Sequence, residues 1–260
     1  MKEVDVELTE VKFWNDYWAN CKLPNVVDYN FSFERCLANA LKANLPSMQG
    51  DVLEVGCAPG KWLAFMAEEY GLKPHGIEYS EAGMSATVKN FQLLELAYGR
   101  IQTGDFFQIM PDRHFDVVMS FGFIEHFSEV DPVIDLHMQW LKPGGILILG
   151  VPNFRGIYYF LQRLLDKSIL DKHNLEIMCP EFFYQLADRS KLKPILVSYI
   201  GSFEPSLPIS SLGRSSFLQL MIRGCLWLAR LIRRLKVFDS INGRFFSSYI
   251  LAVYKKSESN

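Results

Sequence analysis

The chain has 260 residues, 49% of them hydrophobic, enough to bury a full core in one domain with an added lobe. A formal net charge of −2 argues against nucleic acid as a partner. The acidic start MKEVDVELTE lacks the apolar core of a signal peptide, so a cytoplasmic location is expected. Cys21, Cys36, Cys57, Cys179 and Cys225 form no C-x-x-C pair and no metal spacing, which reads as a reduced protein without disulfides. No apolar run reaches the roughly 18 residues of a spanning helix.

In chain order, residues 1–45 read as an N-terminal helical cap. FWNDYWANCKLP places Trp14 and Trp18 at helical spacing, an aromatic stripe that reads first as packing, and FERCLANALKANL continues with the same period. From residue 46 to 260 the pattern becomes that of a second unit. DVLEVG is a buried strand, KWLAFMAEEYG a helix ended by Gly71, KPHGIEYS a strand and EAGMSATVKNFQLLELAYG helical again. IQTGDFF, the strand FDVVMSFG, the helix DPVIDLHMQWL, the turn KPGG and the strand ILILGVPN follow. Apolar strands alternating with helices predict an α/β fold, a parallel sheet covered on both faces. Ligands of such a sheet bind beyond the carboxyl ends of its strands, so chemistry is expected just after each one.

The first such place is the glycine turn in DVLEVGCAPGKW. A phosphate-binding Walker loop needs four residues between its glycines and a Ser or Thr after its Lys; Gly56 and Gly60 enclose three, and Trp62 follows Lys61. The dinucleotide fingerprint would put Lys61 where a third glycine must pack closely, so it fits poorly too. What remains is acid-x-Gly-x-x-x-Gly, Glu54, Gly56 and Gly60, with a second acid, Glu78, at the end of the next strand. A carboxylate there suits ribose hydroxyls, a feature that several nucleotide-like cofactors share.

Later segments separate those cofactors. EVGCAPG, IEYS, GDF, FDVVMSFGFIEHF and LKPGG occur in order, and over residues 50–152 the sequence resembles the class I S-adenosylmethionine-dependent methyltransferases. Ala58 departs from the glycine that many members carry, by one methyl. The resemblance implies a Rossmann-like seven-stranded sheet with helices on both faces and the last strand antiparallel, a role that SSYILAVYKK fits. It implies S-adenosylmethionine as cofactor. Glu54 and the turn Gly56, Cys57, Ala58 and Gly60 would hold its methionine part, and Glu78 with Tyr79 its ribose. Gly104, Asp105 and Phe106 would hold its adenine, and Ser120, Phe121 and Gly122 would lie beneath the sulfonium. The W-x-x-x-W start is similar to that of thiopurine-type members, where a helix covers the cofactor, and Arg35 is a candidate partner for the cofactor carboxylate.

A hydroxyl acceptor needs a base. Of five histidines, His75, His114 and His137 read as structural. His126 follows the fourth strand, where the resemblance places the reactive end of the cofactor. His173 precedes the helix start CPE, a connection that faces the acceptor in many small-molecule members, and is the leading base. An E-x-x-E-H motif binds a divalent metal in some methyltransferases; here Gly122 occupies its first position, and no catalytic metal is expected.

Acceptor choice is expected in the insertions at 153–178 and 203–244. The first resembles, loosely, methyltransferases of surface-polysaccharide pathways, which makes a saccharide hydroxyl, free or lipid-linked, the leading small-molecule acceptor. An N- or S-acceptor, or a non-catalytic cofactor-binding protein, are the alternatives. Residues 213–244 carry seven Arg or Lys against one acid, Asp239, so a segment of +6 sits on a body of −8. Within 216–238, Arg223, Arg230 and Arg234 share a helical face with Arg233 beside it, and Leu218, Met221, Ile222, Cys225, Leu228, Ala229 and Ile232 fall largely opposite. Such a helix either lies peripherally on the inner face of an anionic membrane or closes over the acceptor site as a lid. The sequence assigns no oligomeric state.

Overall fold

The computed structural model describes residues 9–204 and 239–258, and between them only positions 207, 221, 224, 225, 227–229, 231, 235 and 236. Strands β1 (Asp51–Val55), β2 (Lys73–Glu78), β3 (Ile101–Thr103), β4 (Phe115–Phe121), β5 (Leu141–Pro152), β6 (Leu192–Ile200) and β7 (Tyr249–Lys256) form one sheet in the order β3-β2-β1-β4-β5-β7-β6. β7 is antiparallel to both its neighbours, and the pairs among β1 to β5 are parallel. This is the Rossmann-like seven-stranded sheet that the motifs imply. Strand order reverses between β1 and β4, which makes their carboxyl ends the natural crevice for a ligand.

Period-two alternation sends each strand's apolar residues to both faces. Val52, Val117, Met119, Ile146 and Ile148 pack with Leu37, Ala38 and Leu41 of α2 (Ser32–Asn44) and Leu63 and Met66 of α3 (Lys61–Tyr70). Leu53, Val55, Val118, Leu147 and Leu149 face α5 (Asp131–Trp140) and α8 (Pro180–Arg189) through Val133, Ile134, Phe183 and Leu186. In β7, Leu251 and Val253 join the first layer and Ile250, Ala252 and Tyr254 the second, so a central antiparallel strand is apolar on both sides.

Local chemistry sets the element ends. Gly71 ends α3 in the left-handed region at φ +67°, and Ser80 Oγ caps α4 (Glu81–Leu93) by accepting from the Gly83 amide at 3.1 Å. The expected turn KPGG is an irregularity inside β5: Leu141 pairs with Phe115, and pairing resumes only at Ile146 with Val117. α1 (Val11–Trp18) packs on α4, where Asn15 Oδ1 accepts the Ala82 amide at 3.1 Å. α6 (Ile157–Leu165) and the short α7 (Ser168–Asp171) carry the chain from β5 toward α8.

Candidate active site

The turn after β1 has the backbone its glycines permit. Gly56 and Gly60 have φ of +71° and +88°, and a Cβ on Gly60 would meet the Thr87 methyl at 2.9 Å. The amides of Gly56 and Cys57 donate to the Ile77 carbonyl at 2.9 and 3.4 Å, and that of Gly60 to the Cys57 carbonyl at 2.6 Å. The Ala58 amide donates to Glu78 Oε2 at 3.2 Å. These amides are spent within the protein, so the turn presents no nest to a phosphate, in keeping with the failed Walker and dinucleotide readings. The Cys57 thiol lies over Gly76 in the core and the Ala58 methyl over Gly83, so both residues face the crevice through main chain alone.

Polar atoms without partners mark the switch point. Glu54 is 3% exposed, burial and the neighbouring Glu78 push its pKa well above the carboxylate range, and its Oε2 has no hydrogen-bond partner. Ser120 Oγ, at the same end of β4, is equally orphaned. Phe121 packs on Trp62, and Gly122 turns the chain at φ +67° with its amide on the Gly150 carbonyl at 2.9 Å. Glu78 is more occupied than expected: Oε1 accepts the Ser80 amide and hydroxyl at 3.0 and 2.8 Å, and Oε2 the Ala58 amide. The Tyr79 amide bears on the same carboxyl group, so little of its acceptor capacity is left for a ligand. Gly56, Tyr79, Gly104, Asp105 and Phe106 line one narrow cavity with Phe107, Phe123 and Phe127, and Asp105 Oδ1 accepts the Phe107 amide at 2.9 Å.

The fold joins the two candidate bases. His126 lies in a single 3-10 turn (Ile124–His126) after β4, and His173 follows α7; their ring centroids are 4.6 Å apart. The Asn174 amide donates to the Glu125 carbonyl at 2.7 Å, and the Asn174 side chain donates to the Phe127 and Ser128 carbonyls, which locks the two segments together. His126 Nδ1 is 3.0 Å from the Lys172 carbonyl, and His173 Nδ1 is 2.6 Å from that of Ile169. A carbonyl only accepts, so each Nδ1 carries the hydrogen and each Nε2 a lone pair. Burial lowers the pKa of His126 to about 3 and of His173 to about 4, so both are neutral at pH 7. Beside them Glu125 is fully buried, its pKa raised to about 8 by burial, with Oε1 4.0 Å from His126 Nε2. Trp14 of α1 covers His126 edge-on at 5.1 Å and Phe154 covers His173 at 4.7 Å. The W-x-x-x-W helix is therefore a cover for this site as well as a packed stripe.

Two of the other histidines have structural partners. His75 bridges Asp51 Oδ1 and the Arg100 amide, His137 is wholly buried with Nδ1 on the Val133 carbonyl, and His114 is exposed. Arg35 does not face the crevice as a carboxylate partner. Its Nε and second terminal nitrogen donate to Asp239 at 2.7 and 2.9 Å, and its first donates to the Tyr29 carbonyl at 2.6 Å. Asp239, the one acid of the basic segment, thus pins that segment to α2. Sequence reasoning missed Tyr249, which opens β7 opposite Pro152 with its ring over Gly150. A Cβ on Gly150 would meet its hydroxyl at 3.0 Å, and burial with the fields of Glu125 and Glu54 raises its pKa, which places it between the two halves of the site. The only sequence signal was an aromatic residue at the start of the last strand. Of the amphipathic stretch, Leu218, Ile222, Arg223, Arg230, Ile232, Arg233 and Arg234 lie outside the described residues, and Met221, Trp227, Leu228 and Leu235 are exposed.

Residues 30–189 match the methyltransferase-domain family. The chain belongs to that family. The match to this methyltransferase family takes in the glycine turn, His126 and His173 and ends ahead of the basic segment. Over 131 residues the chain is 24% identical to a probable S-adenosylmethionine-dependent methyltransferase of Mycolicibacterium smegmatis, covering 50% of this chain and 49% of that protein. Over 138 residues it is 31% identical to phosphoethanolamine N-methyltransferase of Triticum aestivum, covering 48% and 25%. The chain thus spans half or less of these relatives. A methyltransferase from Geobacter sulfurreducens, solved with S-adenosyl-L-homocysteine, shares the fold at a TM-score of 0.58 and 17% identity, over 95% of this chain and 98% of that one.

Proposed function

We propose that this methyltransferase-family chain uses S-adenosylmethionine to methylate a hydroxyl of a small molecule, with His173 Nε2, or failing it His126 Nε2, taking the hydroxyl proton. The observation that carries the reading is the pair of neutral imidazoles, each fixed with a lone pair on Nε2, at the carboxyl end of β4 beside the switch-point crevice. The orphaned Glu54 Oε2 and Ser120 Oγ fit a ligand that brings polar hydrogens to that crevice. Glu54 would receive its amino group and Asp105 its adenine, while Gly56 and Gly60 allow close approach. When bound, the cofactor supplies a methyl carbon open to in-line displacement. His173 would then hold the acceptor oxygen in line and remove its proton, while Trp14 and Phe154 limit water. Methyl transfer from labelled S-adenosylmethionine to a panel of sugars and hydroxylated metabolites tests this. Either histidine acting as base makes its Ala variant slower by about 10² to 10⁴; turnover within a few-fold for both variants rejects the assignment.

The finer acceptor reading is a saccharide, met at a membrane through the segment 216–238. Its support is the loose resemblance of 153–178 and the exposure of Met221 (56%) and Leu228 (55%), apolar-face residues that a lid would bury. No helix among the described residues is long and apolar enough to cross a membrane. The sequence similarity to a phosphoethanolamine N-methyltransferase favours a second reading, an amine acceptor whose proton the same histidines would take. In both, the cap 1–45 and the insertions 153–178 and 203–244 select the acceptor.

A further inference from the structure

We propose that Glu125, His126 and His173 form a site for one divalent transition-metal ion of the zinc type. One ligand atom from each residue lies within 4.8 Å of the others, and the third ligand comes from the segment after α7, a partner that a contiguous motif could not reveal. The three groups bring two imidazole lone pairs and one buried carboxyl group together. Both Nδ1 atoms are committed to carbonyls, so the Nε2 atoms offer lone pairs, and Glu125 Oε2 is buried, 1% exposed as a residue, with no hydrogen-bond partner.

Imidazole lone pairs gathered around a buried carboxyl group are stabilised by a cation that takes the place of its proton. The backbone carbonyls on the far side of both rings orient them as second-shell acceptors orient metal-bound histidines. Two imidazoles and one carboxylate match zinc-like ions rather than magnesium or calcium, and three protein ligands leave a position open. Ligands at about 2.0 to 2.2 Å from such an ion stand roughly 3.4 Å apart in tetrahedral geometry, which side-chain rotation of the three residues can reach.

The ion would occupy both Nε2 atoms, so a filled site and a histidine base exclude each other. Metal binding goes beyond the proposed function and can stand without it. The test is titration of the chelator-stripped full chain with Co2+, followed by visible absorption, and with Zn2+, followed by calorimetry. One ion per chain is expected, with affinity at least 10-fold weaker in Glu125→Gln and in His173→Gln, and a rise in melting temperature on Zn2+ addition in the wild type that His173→Gln lacks. His173 is less buried than Glu125 and His126, so its variant reports even where a fully buried substitution unfolds the chain. Circular dichroism verifies the fold of each variant. Absence of stoichiometric uptake, or uptake unchanged in the Glu125→Gln, His173→Gln double variant, overturns the site. Inhibition of methyl transfer by Zn2+ over the range that fills the site supports it, and bears separately on whether histidine is the base.

Discussion

Glu54 and His137 are both buried, yet they lead to opposite experiments. Glu54 keeps a carboxylate oxygen without a partner at the crevice, so Glu54→Gln is expected to weaken S-adenosylmethionine binding about 10- to 100-fold, the worth of one charge-assisted hydrogen bond. The same change removes repulsion with Glu78, and calorimetry beside thermal melting should show weaker binding in a protein no less stable. His137 is held neutral by burial, its pKa lowered to about 4 from 6.5. A depressed pKa means stability that is fully present above pH 6.5 and is lost as pH falls through about 4. Urea midpoints of the wild type should therefore fall faster over that window than those of His137→Leu; equal slopes would show that His137 is not the group that titrates. Residues at the strand ends were legible where a motif is contiguous, as at Glu54, Gly56, Gly60 and Asp105. They were not legible where two distant segments meet: nothing local in the sequence ties Arg35 to Asp239, brings His173 against His126 or sets the Tyr249 ring over Gly150.

At the scale of elements, α1 has no buried residue, yet Trp14 lies on His126 and Lys172 Nζ lies 4.4 Å from the Phe13 ring centroid. A helix that covers a site without building the core should be removable at small cost in stability. Trp14→Ala is expected to move the melting point by only a few degrees while lowering kcat/KM about 10-fold, the effect of a lost aromatic contact and of water entry. A drop in stability with no kinetic effect would make α1 packing alone. Leu251 in β7 is the contrary case: it is wholly buried, and Leu251→Ala should cost about 2 to 5 kcal/mol in urea unfolding. Strands β1, β4, β5 and β7 were readable because they are apolar on both faces, and β2 because it leads into the acidic IEYS motif. β6 was not, since it is an edge strand of mixed exposure whose short apolar run, residues 195–197, follows Pro194, a residue that argues against a strand.

Over the whole molecule, a body of −8 carries a segment of +6, and that segment is tied back by its one acid through Arg35. If its arginines meet anionic lipid, flotation with anionic vesicles should recover more protein than with neutral ones, and changing Arg230, Arg233 and Arg234 to Glu should abolish the difference; equal recovery removes the membrane reading. The sheet and its switch point follow from alternating apolar strands and helices, whereas nothing contiguous in the sequence names the acceptor that the proposed insertions would select. All of the proposed chemistry depends on the crevice between β1 and β4 taking a sulfonium nucleoside and not a dinucleotide. Calorimetric titration of the purified chain with S-adenosylmethionine and, separately, with NAD tests this most directly. One saturable S-adenosylmethionine site per chain and no heat with NAD are expected; NAD binding without S-adenosylmethionine binding would contradict it.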